Sequence, residues 1–240
     1  MLFSDRVDAG RRLAAALRPY AGPDVVVIGL PRGGVPVAFE VARRLGAPLD
    51  VVVVRKLGMP LQPEFAIGAV GEDGVRIIDS GLVRAAGVSE QELTSIEQRA
   101  RAEVDRRVRG LRGNRSRVSL TGRTVILVDD GLATGATARA ACQVVRAQGA
   151  AKVVVAVPVA PAAAARSMRP DADEVVCLVT PTDFLAVGEF YLDFAQVDDH
   201  EVTDLLQRAQ PRPRPLPGQR APQSRGSRGS TAGPSSTLPV

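Results

Sequence analysis

The stretch VILVDDGLATGAT (125–137) combines residue types that could bind a sugar and a phosphate together. Four apolar residues lead into the adjacent carboxylates of Asp129 and Asp130. Adjacent carboxylates would repel a phosphate, but they suit sugar hydroxyls or Mg2+. A turn of small residues and hydroxyls can bring backbone N–H groups and a positive helix end close to an anion, and the candidates are Ala133, Thr134, Gly135, Ala136 and Thr137. A sugar phosphate with vicinal hydroxyls would satisfy both halves.

Two other interpretations of the acid pair stay open. The aspartates can be a solvated strand end followed by a helix cap. A phosphoacceptor receiver domain also ends its first strand with paired acids, but near the N-terminus and with a lysine at the end of its last strand. Here the pair follows a middle strand and Lys152 begins a strand, which disfavours the receiver.

A second candidate site combines glycines with basic side chains. In PRGG (31–34), Gly33 and Gly34 permit unusual backbone geometry and close approach to an anion, and Arg32 can donate to diphosphate oxygens. Arg55 and Lys56 end the next predicted strand and should lie at the same sheet edge. The alternatives are a plain strand-to-helix turn and a solvated strand end.

Five apolar runs predict the strands that position these residues. A run of apolar residues without alternation is typical of strands buried on both faces, and the predicted strands are 25–30, 49–55, 124–130, 152–160 and 174–180. Helices are predicted over 5–17 with Ser4 as N-cap, and near 35–45, 136–148 and 161–168. The alternation predicts a doubly wound, mainly parallel five-stranded α/β sheet, whose ligands bind at the carboxyl ends of the strands.

Two segments interrupt this alternation. Residues 58–82 are rich in glycine and proline and predict a loop or hairpin insertion. Ser89 and Glu92 form a capping box before a long charged helix over 89–112 with a narrow apolar stripe. Such a helix lies on a surface or pairs with another helix, so we interpret it as a structural or dimer-forming arm, compatible with a homodimer.

The net charge of +5 over 240 residues comes from the C-terminal segment. Residues 211–240 contain five arginines and no acid, which leaves 26 basic and 26 acidic residues elsewhere. The composition therefore predicts a globular domain over 1–210 and a disordered tail rich in Pro, Arg and Ser over 211–240. The neutral domain argues against nucleic acid as a partner.

The remaining composition excludes several classes of site. Two cysteines and one histidine are too few for a disulfide scaffold, a zinc cluster or a multi-histidine metal site. No apolar run reaches the roughly 18–20 residues of a membrane span, and the N-terminus lacks the apolar core of a signal peptide. These features lead us to expect a cytoplasmic protein that does not associate with membranes.

The two motifs together resemble those of type I phosphoribosyltransferases. VILVDDGLATGAT resembles their phosphoribosyl-pyrophosphate signature, and GLPRGGVPVAFEVARRLGAP (29–48) is similar to the pyrophosphate loop of bacterial xanthine-guanine enzymes. The resemblance implies that Asp129 and Asp130 hold the ribose hydroxyls, and through them a ribose-bound Mg2+. It places 133–137 around the 5-phosphate. It also implies that Arg32, Arg55 and Lys56 contact pyrophosphate and that the 58–82 insertion is a loop closing over the reacting centre.

The acceptor is less defined. TPTDFLAVGEFYLDF (180–194) loosely resembles the V-G-Y-x-L-D-Y segment of hypoxanthine-guanine enzymes. That resemblance implies a base-stacking aromatic, Phe184 or Tyr191, and a role for Asp193 near magnesium, although the spacing is one residue longer. A packed C-terminal cap is the alternative. Ala133 stands where 6-oxopurine enzymes carry an aspartate, so the sequence does not identify the base.

The resemblance implies that the protein transfers phosphoribose from phosphoribosyl pyrophosphate to a nucleobase-like acceptor, as in nucleotide salvage. Asp129, Asp130, Arg32 and Lys56 would be the catalytic residues, acting by position and electrostatics. One alternative is a regulator that senses phosphoribosyl pyrophosphate and binds nucleic acid. The other is a sugar-phosphate hydrolase.

Overall fold

A five-stranded parallel sheet forms the centre of the protein. The computed structural model describes residues 2–59, 62–113 and 115–209, so the predicted tail over 211–240 lies outside them. Its strands are β1 Val25–Gly29, β2 Leu49–Val51, β6 Thr124–Val128, β7 Lys152–Val159 and β8 Glu174–Val179. They follow the order β2-β1-β6-β7-β8, with parallel neighbours throughout. The predicted fold class is confirmed.

Seven α-helices belong to the described ranges. Their bounds are α1 Arg6–Ala16, α2 Gly34–Leu45, α3 Ser80–Ala85, α4 Glu90–Arg112, α5 Ala136–Ala147, α6 Ala162–Ser167 and α7 Asp199–Arg208. Asp5, not Ser4, caps α1, because the Asp5 carboxylate accepts the Asp8 N–H at 2.7 Å. The predicted cap at Ser4 is therefore wrong by one residue.

Alternate residues of the central strands point into two separate cores. Val25 and Val27 of β1 pack with α1, α2 and α7 on one face. Val26 and Ile28 pack on the other face with α5 and the region around α6. Because both faces are covered, the strands can be continuously apolar, as their sequences are. Ligands are left with the strand ends as the accessible edge.

The glycine-rich insertion forms a second, antiparallel sheet. Its three strands are β3 Val54–Met59, β4 Gln62–Gly71 and β5 Arg76–Ile78. The predicted strand over 49–55 is consequently divided, since β2 ends at Val51 and the Val53 N–H donates to Glu72 Oε1 at 2.9 Å instead of to β1. Arg55 and Lys56 thus lie on β3 and not at the end of β2, which corrects their predicted position.

The long helix α4 packs within the chain. Its capping box is confirmed: Ser89 N–H donates to Glu92 Oε2 at 2.9 Å, and Glu92 N–H to Ser89 Oγ at 3.3 Å. Ala100, Val104 and Leu111 of the predicted stripe are buried in the same core as β3, β4 and α7. Within the described residues, this stripe is therefore covered by the chain itself.

A buried ion network fastens α4 to both sheets. Arg112, 8% exposed, donates to Glu72 Oε2 at 2.6 Å, to Asp50 Oδ1 at 3.3 Å and to the carbonyl oxygen of Val51 at 2.9 Å. Asp50 lies on β2 and Glu72 follows β4. Asp50 also accepts the Val118 N–H at 2.9 Å. One guanidinium thus joins the edge of the central sheet, the inserted sheet and the end of α4.

Two C-terminal segments, residues 190–193 and helix α7, pack against earlier parts of the chain. Helix α7, capped by Asp198, was absent from the predicted elements although Val202, Leu205 and Leu206 form an apolar face. Residues 190–193 pair with the N-terminus, where Phe3 N–H donates to the Phe190 carbonyl at 2.8 Å. Within the described ranges, no helix combines the length and apolarity that a membrane crossing needs.

We predict that Arg112→Ala lowers the free energy of unfolding by about 3–5 kcal/mol, because it leaves two buried carboxylates without their cation. Urea denaturation would measure the change. Arg109→Ala, at an exposed position on the same helix, is the control and should change stability by less than about 0.5 kcal/mol. Equal effects of the two substitutions would contradict a structural role for the network.

Candidate functional site

The acid pair lies directly after β6, at the carboxyl edge of the central sheet. Asp129 and Asp130 are both partly buried, and the Asp130 N–H donates to Asp129 Oδ1 at 2.9 Å. Burial, and then the neighbouring charge of Asp130, raises the pKa of Asp129 well above its usual value. Burial also raises the pKa of Asp130, against the opposing effect of Arg6. The protein therefore holds two carboxylates in an environment that disfavours their charged forms.

Arg6 is the one cation that touches the acid pair among the described residues. Its Nε donates to Asp130 Oδ2 at 2.9 Å, and its Nη1 donates to the Ala195 carbonyl at 2.7 Å. The guanidinium lies 3.8 Å from the centre of the Phe194 ring. Arg6 does not stand out in the sequence, because a charged residue in the first turn of a helix is ordinary. Arg6 and Asp130 are 124 positions apart in the sequence, and only the fold brings them into contact.

The two glycines of PRGG allow this loop to pack against the acids. A Cβ on Gly33 would lie 2.7 Å from the Asp130 carboxyl carbon, and one on Gly34 would lie 2.8 Å from the Asp129 Cα. Neither glycine has a positive φ, so neither uses the left-handed backbone conformation that glycine permits. The peptide bond between Pro31 and Arg32 is cis. Close approach is the property that these glycines supply, and it joins the two motifs into one site.

The turn after the acids has the form of an anion-binding loop. Ala133 and Thr134 are exposed, and Gly135 has a φ of +74° just before α5 begins at Ala136. A side chain would strain that conformation. The backbone N–H groups of Ala133, Thr134 and Gly135 donate no hydrogen bond within the described part of the chain. With the helix N-terminus and the exposed Thr137 beside them, these donors can receive a phosphate.

A cavity of about 300 Å3 opens beside the PRGG loop. Its lining brings together residues of both motifs and of the inserted sheet, with Leu30, Pro31, Arg55, Lys56 and Thr137 among them. The Arg55 guanidinium pairs with Glu103 of α4 at 2.9 Å. Two further lining residues, Arg107 and Leu111, belong to α4. The predicted basic pair therefore reaches the site from β3.

Arg32 has a different orientation. Its Nη1 lies 3.9 Å from Asp199 Oδ1 at the start of α7, and 36% of its side chain is exposed. It does not line the cavity described above. The guanidinium is thus near the loop but directed towards an acidic helix end, a loose ion pair that an anionic ligand could replace.

The predicted acceptor residues take separate positions. Tyr191 is 6% exposed, packs against Phe3 and Phe194, and donates to the Asp130 carbonyl oxygen at 2.6 Å. With both neighbours in place, its ring offers no face to a base, which corrects its predicted stacking role. Phe184 stacks on Phe190 with ring centres 5.7 Å apart. Asp193 is exposed and accepts the Ala195 N–H at 3.0 Å.

The acid pair suits a magnesium ion only in company with a ligand. Within the described residues, no group of three or more His, Cys, Asp or Glu side chains is arranged to hold a metal. Mg2+ commonly binds through one or two carboxylates and substrate oxygens. Asp129 and Asp130 fit that pattern, because a nearby cation would relieve two charges that burial disfavours.

We predict that Asp129→Asn raises the free energy of unfolding at pH 7, because it removes a carboxylate whose charged form burial disfavours. The native pKa is raised above the usual 3.8, so the unfolded chain loses this proton first. The carboxylate therefore destabilises the fold as pH rises above about 4. Thermal or urea unfolding at pH 4 and pH 7 should show a gain that shrinks at the lower pH.

Asp24→Asn, at an exposed position before β1, removes the same charge and is the control. It should leave the stability at both pH values nearly unchanged. A variant at position 129 that is less stable than the wild type at pH 7 would show that the carboxylate supports the fold.

Comparison with known proteins agrees with this geometry. Residues 4–195 match the model of the family described as "Phosphoribosyl transferase domain". Two curated Mycobacterium tuberculosis proteins, from strains CDC 1551 and H37Rv, are each 55% identical over 208 residues, and their phosphoribosyl transferase names are themselves provisional. The match covers 87% of this chain but 47% of each relative, so the chain spans about half their length.

A solved structure also aligns closely. The protein TT1426 from Thermus thermophilus is 48% identical, with a TM-score of 0.80 over 87% of this chain and 99% of the other. The family match covers both the PRGG loop and the acid pair that the fold brings together. The chain belongs to the phosphoribosyl transferase family.

Proposed function

We propose that the protein transfers the 5-phosphoribosyl group from phosphoribosyl pyrophosphate to a nucleobase-like acceptor and releases pyrophosphate. The observation that carries this proposal is that three groups with different chemistry lie at one edge of the sheet: one acidic, one of free N–H donors and one basic. The acid pair follows β6, the unpaired N–H groups precede α5, and the basic cavity lies beside PRGG. A donor with hydroxyls, one phosphate and one diphosphate has a complementary part for each.

The 5-phosphate would bind at residues 133–137. Its oxygens would accept hydrogen bonds from the free backbone N–H groups and from the hydroxyls of Thr134 and Thr137. The dipole of α5 would also favour the negative charge. Asp129 and Asp130 would accept from the ribose hydroxyls. Because Arg6 compensates part of the charge of Asp130, the pair can stay close to a phosphate with less repulsion than two bare carboxylates would cause.

The reaction would break the bond between the anomeric carbon and the pyrophosphate oxygen. Positive charge would then develop on the ribose, and Asp129 and Asp130 would stabilise it. Lys56 and Arg55 at the cavity would stabilise the negative charge on the departing pyrophosphate, with Arg32 as a further donor once it leaves Asp199. The acceptor nitrogen would attack the same carbon, so no covalent intermediate on the protein is required.

Mg2+ would fit this arrangement through the donor's own oxygens, near Asp129 and Asp130. When bound, it would offset the charge of the diphosphate. The side chains of the protein would still determine where the donor lies: the loop at 133–137 orients the phosphate, and the acid pair orients the sugar.

The acceptor is proposed only as a nucleobase-like molecule. Phe184 and Asp193 are the candidates for contacts with the acceptor. Tyr191 instead supports the acid pair by donating a hydrogen bond to the Asp130 carbonyl oxygen. A nucleobase acceptor would give the protein a place in nucleotide salvage. The match covers 47% of the length of each curated relative. For a longer protein that contains this chain, we propose the same activity for the part described here.

The test incubates the protein with Mg2+, phosphoribosyl pyrophosphate and a panel of nucleobases, and measures pyrophosphate release. Release that requires one base would support the transferase. Binding of phosphoribosyl pyrophosphate without turnover would favour a regulator, and release without any base would favour a hydrolase. The assignment would be abandoned if the donor neither binds nor turns over.

For the site itself we predict that Asp130→Asn reduces donor binding or turnover at least tenfold while the fold is retained. The substitution removes a charge that would face the ribose, together with its ion pair to Arg6. Isothermal titration with phosphoribosyl pyrophosphate and a pyrophosphate release assay give the two readouts. Asp183→Asn, at an exposed position beyond β8, is the control, and wild-type behaviour at position 130 would remove that residue from the site.

A further inference from the structure

One side of the long helix α4 faces the basic cavity. Arg107 and Leu111 line the cavity directly, and Glu103 holds Arg55, which also lines it. These three helix residues are spaced four apart, so they lie along one face of the helix. Arg106, the preceding residue in sequence, is exposed and does not line the cavity. The helix therefore directs one particular arginine to the cavity.

The charges around this cavity are unbalanced. Its lining includes three cations, Arg55, Lys56 and Arg107, and no carboxylate. Glu103 compensates Arg55. Within the described residues, neither Lys56 nor Arg107 forms an ion pair. Two cations beside a partly enclosed space form a site for an anion with more than one charge.

The size and surroundings of the cavity indicate which anion. About 300 Å3 is at the lower end of the range for small-molecule pockets, enough for a diphosphate group. Leu30 and Pro31 bring the PRGG loop to one wall, and Thr137 brings the phosphate loop to another. The cavity thus adjoins both loops that the donor would contact.

We propose that Arg107 of α4 binds the diphosphate of the donor and the released pyrophosphate, together with Lys56. The proposal rests on the proposed function and gives the long helix a part in it. Arg107 can be held in place because Arg112, five residues further on, is fixed in the buried network with Asp50 and Glu72. A long basic side chain on a fixed helix end can then donate to diphosphate oxygens without ordering a loop.

The experiment compares Arg107→Gln with Arg106→Gln by isothermal titration with inorganic pyrophosphate and Mg2+. Both variants lose one positive charge from adjacent positions of the same helix, so they alter the overall field equally. We expect the Arg107 variant to bind pyrophosphate roughly five- to twentyfold more weakly, as for the loss of one charge-assisted contact, and the Arg106 variant to stay within about twofold of the wild type. Thermal unfolding of both variants verifies that α4 remains folded.

Each result has one meaning. Similar weakening by both variants, or no weakening by Arg107→Gln, would overturn the role of Arg107, even if the wild type transfers phosphoribose. If the wild type transfers phosphoribose and only Arg107→Gln loses pyrophosphate affinity, the proposal is supported. If the wild type binds neither pyrophosphate nor phosphoribosyl pyrophosphate, the proposed function itself fails, and this outcome is visible before any variant is made.

Discussion

The buried contact of Arg112 with Asp50 and Glu72 is the constraint on which the rest of the site depends. Three charged groups have left water, and each finds partners with good geometry: Arg112 donates to both carboxylates and to the Val51 carbonyl. Burial alone would lower the pKa of Arg112, but its bonds to Glu72 and the charge of Asp50 raise it instead. The guanidinium thus remains charged and fixes where the inserted sheet departs from β2. The position of Arg55 and Lys56 follows from that departure.

A second constraint is steric and joins the two halves of the candidate site. Gly33 and Gly34 have no room for a side chain because the acid pair occupies that space. The loop after β1 and the loop after β6 are therefore in contact, as expected for neighbouring parallel strands with Gly29 opposite Val128. The acids gain their proximity to the basic surface at a cost, since burial raises the pKa of both carboxyls. The charged carboxylates therefore lower the stability of the fold at the place where they would contact a ligand.

The sequence predicted most of the fold and the composition of the site. Continuous apolar runs indicated the five parallel strands, and the capping box at Ser89 placed the start of α4. It could not place Arg55 and Lys56 correctly, because the apolar run over 51–54 conceals a change of sheet that depends on Glu72, nineteen residues beyond Val53. Arg6 did not stand out because it is one of several arginines on its helix, and the same holds for Arg107, for which a role is proposed above. The apolar spacing of Val202, Leu205 and Leu206 would have indicated α7.

The contacts of Arg6 have a consequence for the order in which the site can form during synthesis. Arg6 is translated before the acids at 129–130, and its partners Phe194 and Ala195 follow only after a further long stretch of chain. Phe3 likewise waits for Tyr191. A nascent chain can therefore form the central sheet around β6 and β7 before Phe194 and Ala195 are available to hold Arg6 beside the acid pair. The candidate site would form last, when residues 3–6 and 190–195 come together beside the acid pair.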